Sequence, residues 1–387
     1  MQDSPGPERP APRGRSKVVF VANSDWYLYN FRSDLIAMAE KTGWEVELIC
    51  PDGEYVPKLR ARGWPVTVIP LDSRGANPLR EADAWRRLLR ALRAAEPDVL
   101  HLFTLKCVLY GCIAAPLIAK TRVIGAITGL GHLFTTRNWR TRLLKPPVLV
   151  AMKLALWASR AHLIFQNEHD REEFVGRGLL ARERTTVIRG SGVDCEQFKP
   201  PEEPAAPKGH ARKLLFCGRL LREKGIHEYL SMAERLREMG CEFDSYLAGA
   251  PYPGNPSSLS QAEVDELIRS GGHHYLGHHA DMAGLLATTD IVVLPTYREG
   301  TPKALLEAAA SGCVIVTTDI PGCQGIVEPG ENGYLVPVHQ VAPLVEAVAR
   351  LLDAPQEPLS AMKSRSRDIA ENRFSVKKVN EATLALY

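Results

Sequence analysis

Residues 290–312 read DIVVLPTYREGTPKALLEAAASG. The opening is a short apolar, β-branched run. The close repeats apolar residues at helical spacing, so a strand passes through a tight turn into a helix. Seven residues separate Glu299, at the turn, from Glu307, inside the helix. Gly300 allows a ligand close to the backbone. The free amides of Thr301, Lys303 and Ala304 lie at the helix N-terminus, where anions are favoured. Pro302 suits the first helical turn, because its missing N–H costs little there. A carboxylate inside the helix can hold a ribose diol while the first meets a sugar. The same residues also fit an ordinary helix start with solvated acids.

Moving upstream, FCGRLLREKGI (Phe216 to Ile226) is a second strand-to-helix junction. Arg219 and Lys224 lie across a glycine-bounded loop. Arginine offers a planar fork to phosphate oxygens and lysine a point charge. Together they can neutralise a departing diphosphate, although a solvated basic loop would read the same way.

Around these junctions strands and helices alternate, which implies βαβ units and a parallel sheet. The alternation begins at Lys17 with VVFVAN and a helix near 31–40. EVELIC, a helix near 55–62, PVTVIPL, a helix over 81–95, DVLHLF and VIGAIT follow. HLIFQN, a helix over 168–175 and TTVIR complete the first half. Lys199 to Lys213, KPPEEPAAPKGHARK, is rich in proline and charge and reads as a linker. Alternation then restarts with LLFCGRL, a helix over 225–239, FDSYLAG, a helix near 260–268, HHYLG, DIVVLPTY, a helix over 302–310 and CVIVTTD. The expectation is an α/β protein of two Rossmann-like domains, 17–205 and 206–373, with a C-terminal helix, 374–387, crossing back to the first. Ligands of such sheets bind beyond the strands' carboxyl ends, which predicts a site in a cleft between the halves. Residues 1–16, proline-rich with mixed charge, read as a disordered tail.

Composition narrows the function. With 387 residues, two to three domains are expected. A formal net charge of +3 does not suggest bulk nucleic-acid binding. The eight cysteines form no C-x-x-C pair and mostly sit in apolar stretches, which fits a reduced, cytoplasmic setting. No apolar run approaches the roughly 20 residues that span a bilayer. The paired histidines at 273–274 and 278–279 lack accompanying carboxylates or cysteines, so no metal site is expected. Neither D-x-D nor G-x-G-x-x-G occurs, which argues against metal-dependent sugar transfer of the D-x-D type and against a nicotinamide enzyme. From Val99 to Asn167 there is no Asp or Glu, and the part from Arg137 to Arg160 interleaves basic residues with Trp139, Trp157 and leucines. That pattern predicts a membrane-surface segment; a core helix with snorkelling basic residues is the other reading.

GRLLREKG with EGTPKALLE, on the second of two Rossmann-like halves, resembles glycosyltransferase family 4, with the GT-B fold. The likeness covers nearly the whole chain from Lys17. DWYLYNFRSDL, ITGLGHLF, FQNEHDREEF and HYLGHHADMAGLLATTDIVVLPTYREG resemble a bacterial branch that extends sugars on polyprenyl-diphosphate carriers, N-acetylgalactosaminyltransferases among them. The resemblance implies a retaining, metal-independent transfer from a UDP-sugar, with no cofactor, at the inner face of the cell membrane. Arg219 and Lys224 would bind the donor diphosphate, with Gly300, Thr301 and Lys303 along the phosphates. Glu307 would bind the ribose and Glu299 the donor sugar. His132 would face that sugar from the first domain. Asn23, Ser24, Asn30 and Arg32, where the family often has a glycine pair, would meet the acceptor. Thr301 departs from the bulky apolar residue common after Glu-Gly. A nucleotide-sugar epimerase of the same two-lobed fold, or a non-catalytic sugar-nucleotide binder, are the rival readings.

Overall fold

The computed structural model describes residues 16–71, 77–118, 120–129, 139–201, 211–252 and 255–387, with 139–144 described by backbone alone. The expected tail, apart from Ser16, lies outside the described residues, as do His132 and positions 202–210 of the linker.

The chain divides into two units. The first holds seven strands: β1 (Lys17–Val21), β2 (Glu45–Cys50), β3 (Val66–Val68), β4 (Val99–Phe103), β5 (Arg122–Ile127), β6 (His162–Phe165) and β7 (Thr185–Val187). Their order is β3-β2-β1-β4-β5-β6-β7, and every neighbouring pair is parallel. The second unit holds β8 (Arg212–Cys217), β9 (Phe243–Ala248), β10 (His274–Gly277), β11 (Ile291–Leu294), β12 (Val314–Thr318) and β13 (Gly333–Val336). Their order is β10-β9-β8-β11-β12-β13, again all parallel. Strands buried on both faces need continuous apolar runs. Accordingly β4, β11 and β12 are buried at every residue. The two sheets reverse strand order at β1/β4 and at β8/β11, the places where α/β sheets bind ligands.

The division differs from the expected boundaries. The second unit takes Gln166–His169 and Ile188–Ala382, and the first takes the residues through Phe165, Asp170–Val187 and Thr383–Tyr387. The reason lies in backbone pairing that a proline-rich composition does not reveal. Val193 N–H donates to Phe374 O at 2.8 Å, and Val376 N–H donates to Val193 O at 2.9 Å. Arg367 donates to the carbonyls of Cys195 and Phe198 at 2.9 and 2.6 Å. These bonds hold the segment after β7 in the second unit, and β8 already begins inside the predicted linker. Of the C-terminal stretch, only Thr383–Tyr387 belongs to the first unit. There Tyr387 closes an aromatic cluster, its hydroxyl 2.6 Å from His101 Nδ1. Among the described residues, no helix is long and apolar enough to cross a membrane.

Candidate functional site

The β8 and β11 strands run side by side, with Leu214 and Leu215 in register with Ile291 and Val292. Their carboxyl ends therefore release two loops next to each other. After β8 the chain makes a 3₁₀ turn at Arg222–Lys224 and enters the Ile226–Glu238 helix through Gly225. After β11 it passes Pro295–Pro302 and enters the Lys303–Ala310 helix.

Gly225 is where the loops touch. Its φ is +76°, and a Cβ there would run into the Pro295 carbonyl. Only glycine satisfies both the left-handed backbone and the close approach. With the gap closed, Tyr297 N–H donates to Glu223 O at 2.9 Å. The Thr296 hydroxyl lies 3.1 Å from the same carbonyl and 3.3 Å from Glu299 Oε1, and its single proton serves one at a time. The Tyr297 hydroxyl donates to Glu228 Oε1 at 2.7 Å. Lys224 Nζ pairs with Glu299 Oε1, both side chains largely buried at 17% and 16% exposure. On the far side, Gly322 backs the turn: a Cβ at 322 would collide with the carbonyls of Glu299 and Gly300.

The Lys303–Ala310 helix starts one residue later than its sequence suggests. Pro302 is the cap residue, with extended backbone, rather than part of the first turn, and it supplies no side-chain cap. Glu307 sits a turn further on, 3.6 Å from Lys303 Nζ. Burial pushes its carboxyl up from the usual glutamate value, and Lys303 opposes the shift.

The structure thus brings together Lys224, Glu299, Gly300 and Thr301, with Lys303 and Glu307 on the adjoining helix. Arg219 is exposed and makes a different contact, its guanidinium 4.8 Å from the Tyr252 ring centroid. Thr296, Tyr297, Glu223 and Glu228 were not singled out from sequence. Tyr297 lies inside the quoted stretch, but its partner is 69 residues away.

In the first unit, the residues expected at the acceptor follow β1, beside the β1/β4 reversal. Ser24 Oγ accepts from Tyr27 N–H at 3.3 Å and caps a short helical turn. Asn30 Nδ2 donates to Trp26 O at 2.9 Å. Arg32 is only 5% exposed. Its Nε and Nη2 donate to the Tyr27 hydroxyl at 2.9 and 2.6 Å, and its guanidinium stands 4.8 Å from the Phe103 ring. Asn23 is half-buried at the loop's start.

Two units, each built on an all-parallel sheet with flanking helices, are the architecture of GT-B glycosyltransferases. Sucrose-phosphate synthase from Thermosynechococcus elongatus shares the fold at TM-score 0.75, with 17% identity and coverage of 96% of this chain and 98% of that one. Anabaena HepE in complex with UDP and glucose does so at TM-score 0.71, with 20% identity over 96% and 98%. Residues 211–354 match the family described as glycosyl transferases group 1, and residues 17–167 match glycosyl transferase 4-like. The chain belongs to this glycosyltransferase family. It is 27% identical to the N,N'-diacetylbacillosaminyl-diphospho-undecaprenol alpha-1,3-N-acetylgalactosaminyltransferase of Campylobacter jejuni, covering 91% of this chain and 93% of the relative. It is 22% identical to the UDP-Gal:alpha-D-GlcNAc-diphosphoundecaprenol alpha-1,3-galactosyltransferase of Escherichia coli, covering 89% and 88%.

Proposed function

We propose that this glycosyltransferase moves a hexose or N-acetylhexosamine, with N-acetylgalactosamine favoured, from a UDP-sugar to a polyprenyl-diphosphate-linked sugar, working at the cytoplasmic face of a membrane. The observation that carries the reading is the Lys224–Glu299 pair bridging the two loops at the β8/β11 reversal. In this reading the lysine serves the diphosphate and the carboxylate the donor sugar, and the two side chains form one ion pair.

In this reading the donor exchanges one partner for another. A diphosphate arriving beside Lys224 and the uncapped amides ahead of the Lys303–Ala310 helix takes the lysine from Glu299. The freed carboxylate then accepts from hydroxyls of the donor sugar. Arg219 swings from Tyr252 to the phosphates, and Glu307 accepts from the ribose diol. Charge developing on the leaving phosphate meets fixed positive charge and helix amides, which lowers the barrier without a metal. The phosphate takes the acceptor's proton on the same face, so the anomeric configuration is kept. Both named relatives act on sugars carried by diphospho-undecaprenol, which supports the acceptor class. The UDP complexes of HepE support the nucleotide.

The test is the proton NMR spectrum of the product made from α-linked UDP-sugars and a short-chain polyprenyl-diphosphate monosaccharide. A new α-glycosidic signal supports the reading. A β-glycoside overturns retention, and no product from any UDP-sugar overturns the assignment of donor and acceptor.

A further inference from the structure

The Trp139–Ser159 helix presents an apolar stripe that no described residue covers. Val150, Leu154 and Trp157 are 59%, 61% and 75% exposed, whereas Met152, Ala155 and Leu156 are buried beneath them. Spacings of i, i+4 and i+7 set the three exposed side chains within about 60° of arc on one stripe. Lys153 is exposed beside the stripe, and Arg160 is exposed just past its end.

A second feature adjoins it. A cavity of about 640 Å³ at the end of this helix is lined by Arg122, Trp157, Arg160, His162 and Arg184. Arg184 is committed to the fold, donating to Leu156 O and Ala161 O at 2.6 and 2.7 Å. Arg122 donates to Tyr387 O at 3.4 Å and keeps an exposed position at the start of β5. His162 is held below the ordinary histidine value chiefly by burial, with Arg122 and Arg184 adding to the shift.

We propose that this face docks on a bilayer containing anionic phospholipid. Val150, Leu154 and Trp157 enter the headgroup layer, and Lys153, Arg122 and Arg160 meet lipid phosphodiesters. The proposal deepens the reading above by naming the surface that meets the membrane. Charge decides the occupant. A two-fold contact with a second copy would set Lys153 and Arg160 of one protomer against a face of the same sign, whereas anionic headgroups complement it. An interfacial helix with indole and leucine on one side and basic residues flanking it matches that environment.

The experiment is sedimentation of the full chain with vesicles of phosphatidylcholine alone or with phosphatidylglycerol, at low and high salt. Wild type is expected to pellet with the anionic vesicles at low salt and to stay largely soluble with the neutral ones. Leu154→Ser/Trp157→Ser should lose at least tenfold in the bound-to-free ratio. Arg122→Glu/Arg160→Glu should lose the preference for the anionic lipid. Among the described residues, Leu154, Trp157 and Arg160 make no side-chain hydrogen bond or ion pair, so unchanged thermal unfolding of Leu154→Ser/Trp157→Ser shows that the loss is one of docking. Wild type remaining soluble with anionic vesicles, or the Ser variant binding as wild type does, overturns the proposal. A concentration-dependent dimer abolished in the Ser variant, without vesicle binding, also overturns it. Transfer to a short-chain acceptor dispersed in detergent is measured separately: its failure counts against the activity and leaves vesicle binding to judge this face.

Discussion

The Tyr297 hydroxyl donates to Glu228 at 2.7 Å, tying the loop that carries Glu299 to the helix that follows Lys224. Glu228 Oε2 is buried without a hydrogen-bond partner among the described residues, and His339 Nδ1 stands 3.9 Å from Oε1, so the tyrosine supplies the one hydrogen bond to this carboxylate among the described residues. Tyr297→Phe removes that bond and nothing else. It should cost about 1–2 kcal/mol of stability. It should also lower kcat roughly tenfold with a smaller change in donor KM, because the loop's geometry loosens while its charges remain. Steady-state kinetics beside thermal unfolding checks both. An unchanged kcat would show that the bond serves stability alone.

Lys224 and Glu299 should behave as a unit. Each alanine substitution is expected to lower kcat/KM by about 10²- to 10³-fold, the range for losing one preorganised electrostatic group. The double variant should lose much less than the product of the two, since the residues are in contact. A double-mutant cycle on kcat/KM measures this, and strict additivity would contradict the shared role.

Glu307 supplies a pH signature. Burial raises its folded pKa above the ordinary 4.5, so the fold favours the neutral carboxyl. The associated stability is fully present below the unfolded value and is lost as pH rises through the folded one. Glu307→Gln keeps a neutral group of the same shape. Its melting temperature should match wild type near pH 4 and exceed it increasingly above that, while its donor KM rises. Calorimetry across this window tests the sign.

Gly225 takes φ +76° against the Pro295 carbonyl. Gly225→Ala should destabilise by more than about 1 kcal/mol, because both the backbone and the contact oppose a Cβ. Chemical denaturation reads the cost, and the surviving folded fraction should show weakened donor binding in titration calorimetry.

Much of the architecture was legible because buried parallel strands are written as uninterrupted apolar runs. VVFV, LHLF and IVVL have no competing reading between two turn signals, and the junctions after FC and LP fall where the sheet reverses. Less was legible where a residue's role depends on partners far along the chain. Arg32 reads as a polar loop residue, yet Tyr27 and Phe103 enclose it and the chain around it winds into a π-helical turn, Leu28–Arg32. The bond between Tyr297 and Glu228 and the pairing of Val193 with Phe374 arise from tertiary approach, which local pattern does not encode. Pro302 differs in a smaller way: its fixed φ suits either the cap or the first turn, and its extended ψ of 113° makes it the cap.

The most direct test of the central claim is a radiolabel transfer assay. A panel of UDP-sugars is offered with a polyprenyl-diphosphate monosaccharide, and label in the lipid phase is counted for wild type, Glu299→Ala and Lys224→Ala. The account predicts label entering the lipid phase with wild type from one UDP-sugar above the others, and its loss in both variants. Donor bound tightly by wild type with no label reaching the lipid, or transfer undiminished in the two variants, would contradict it.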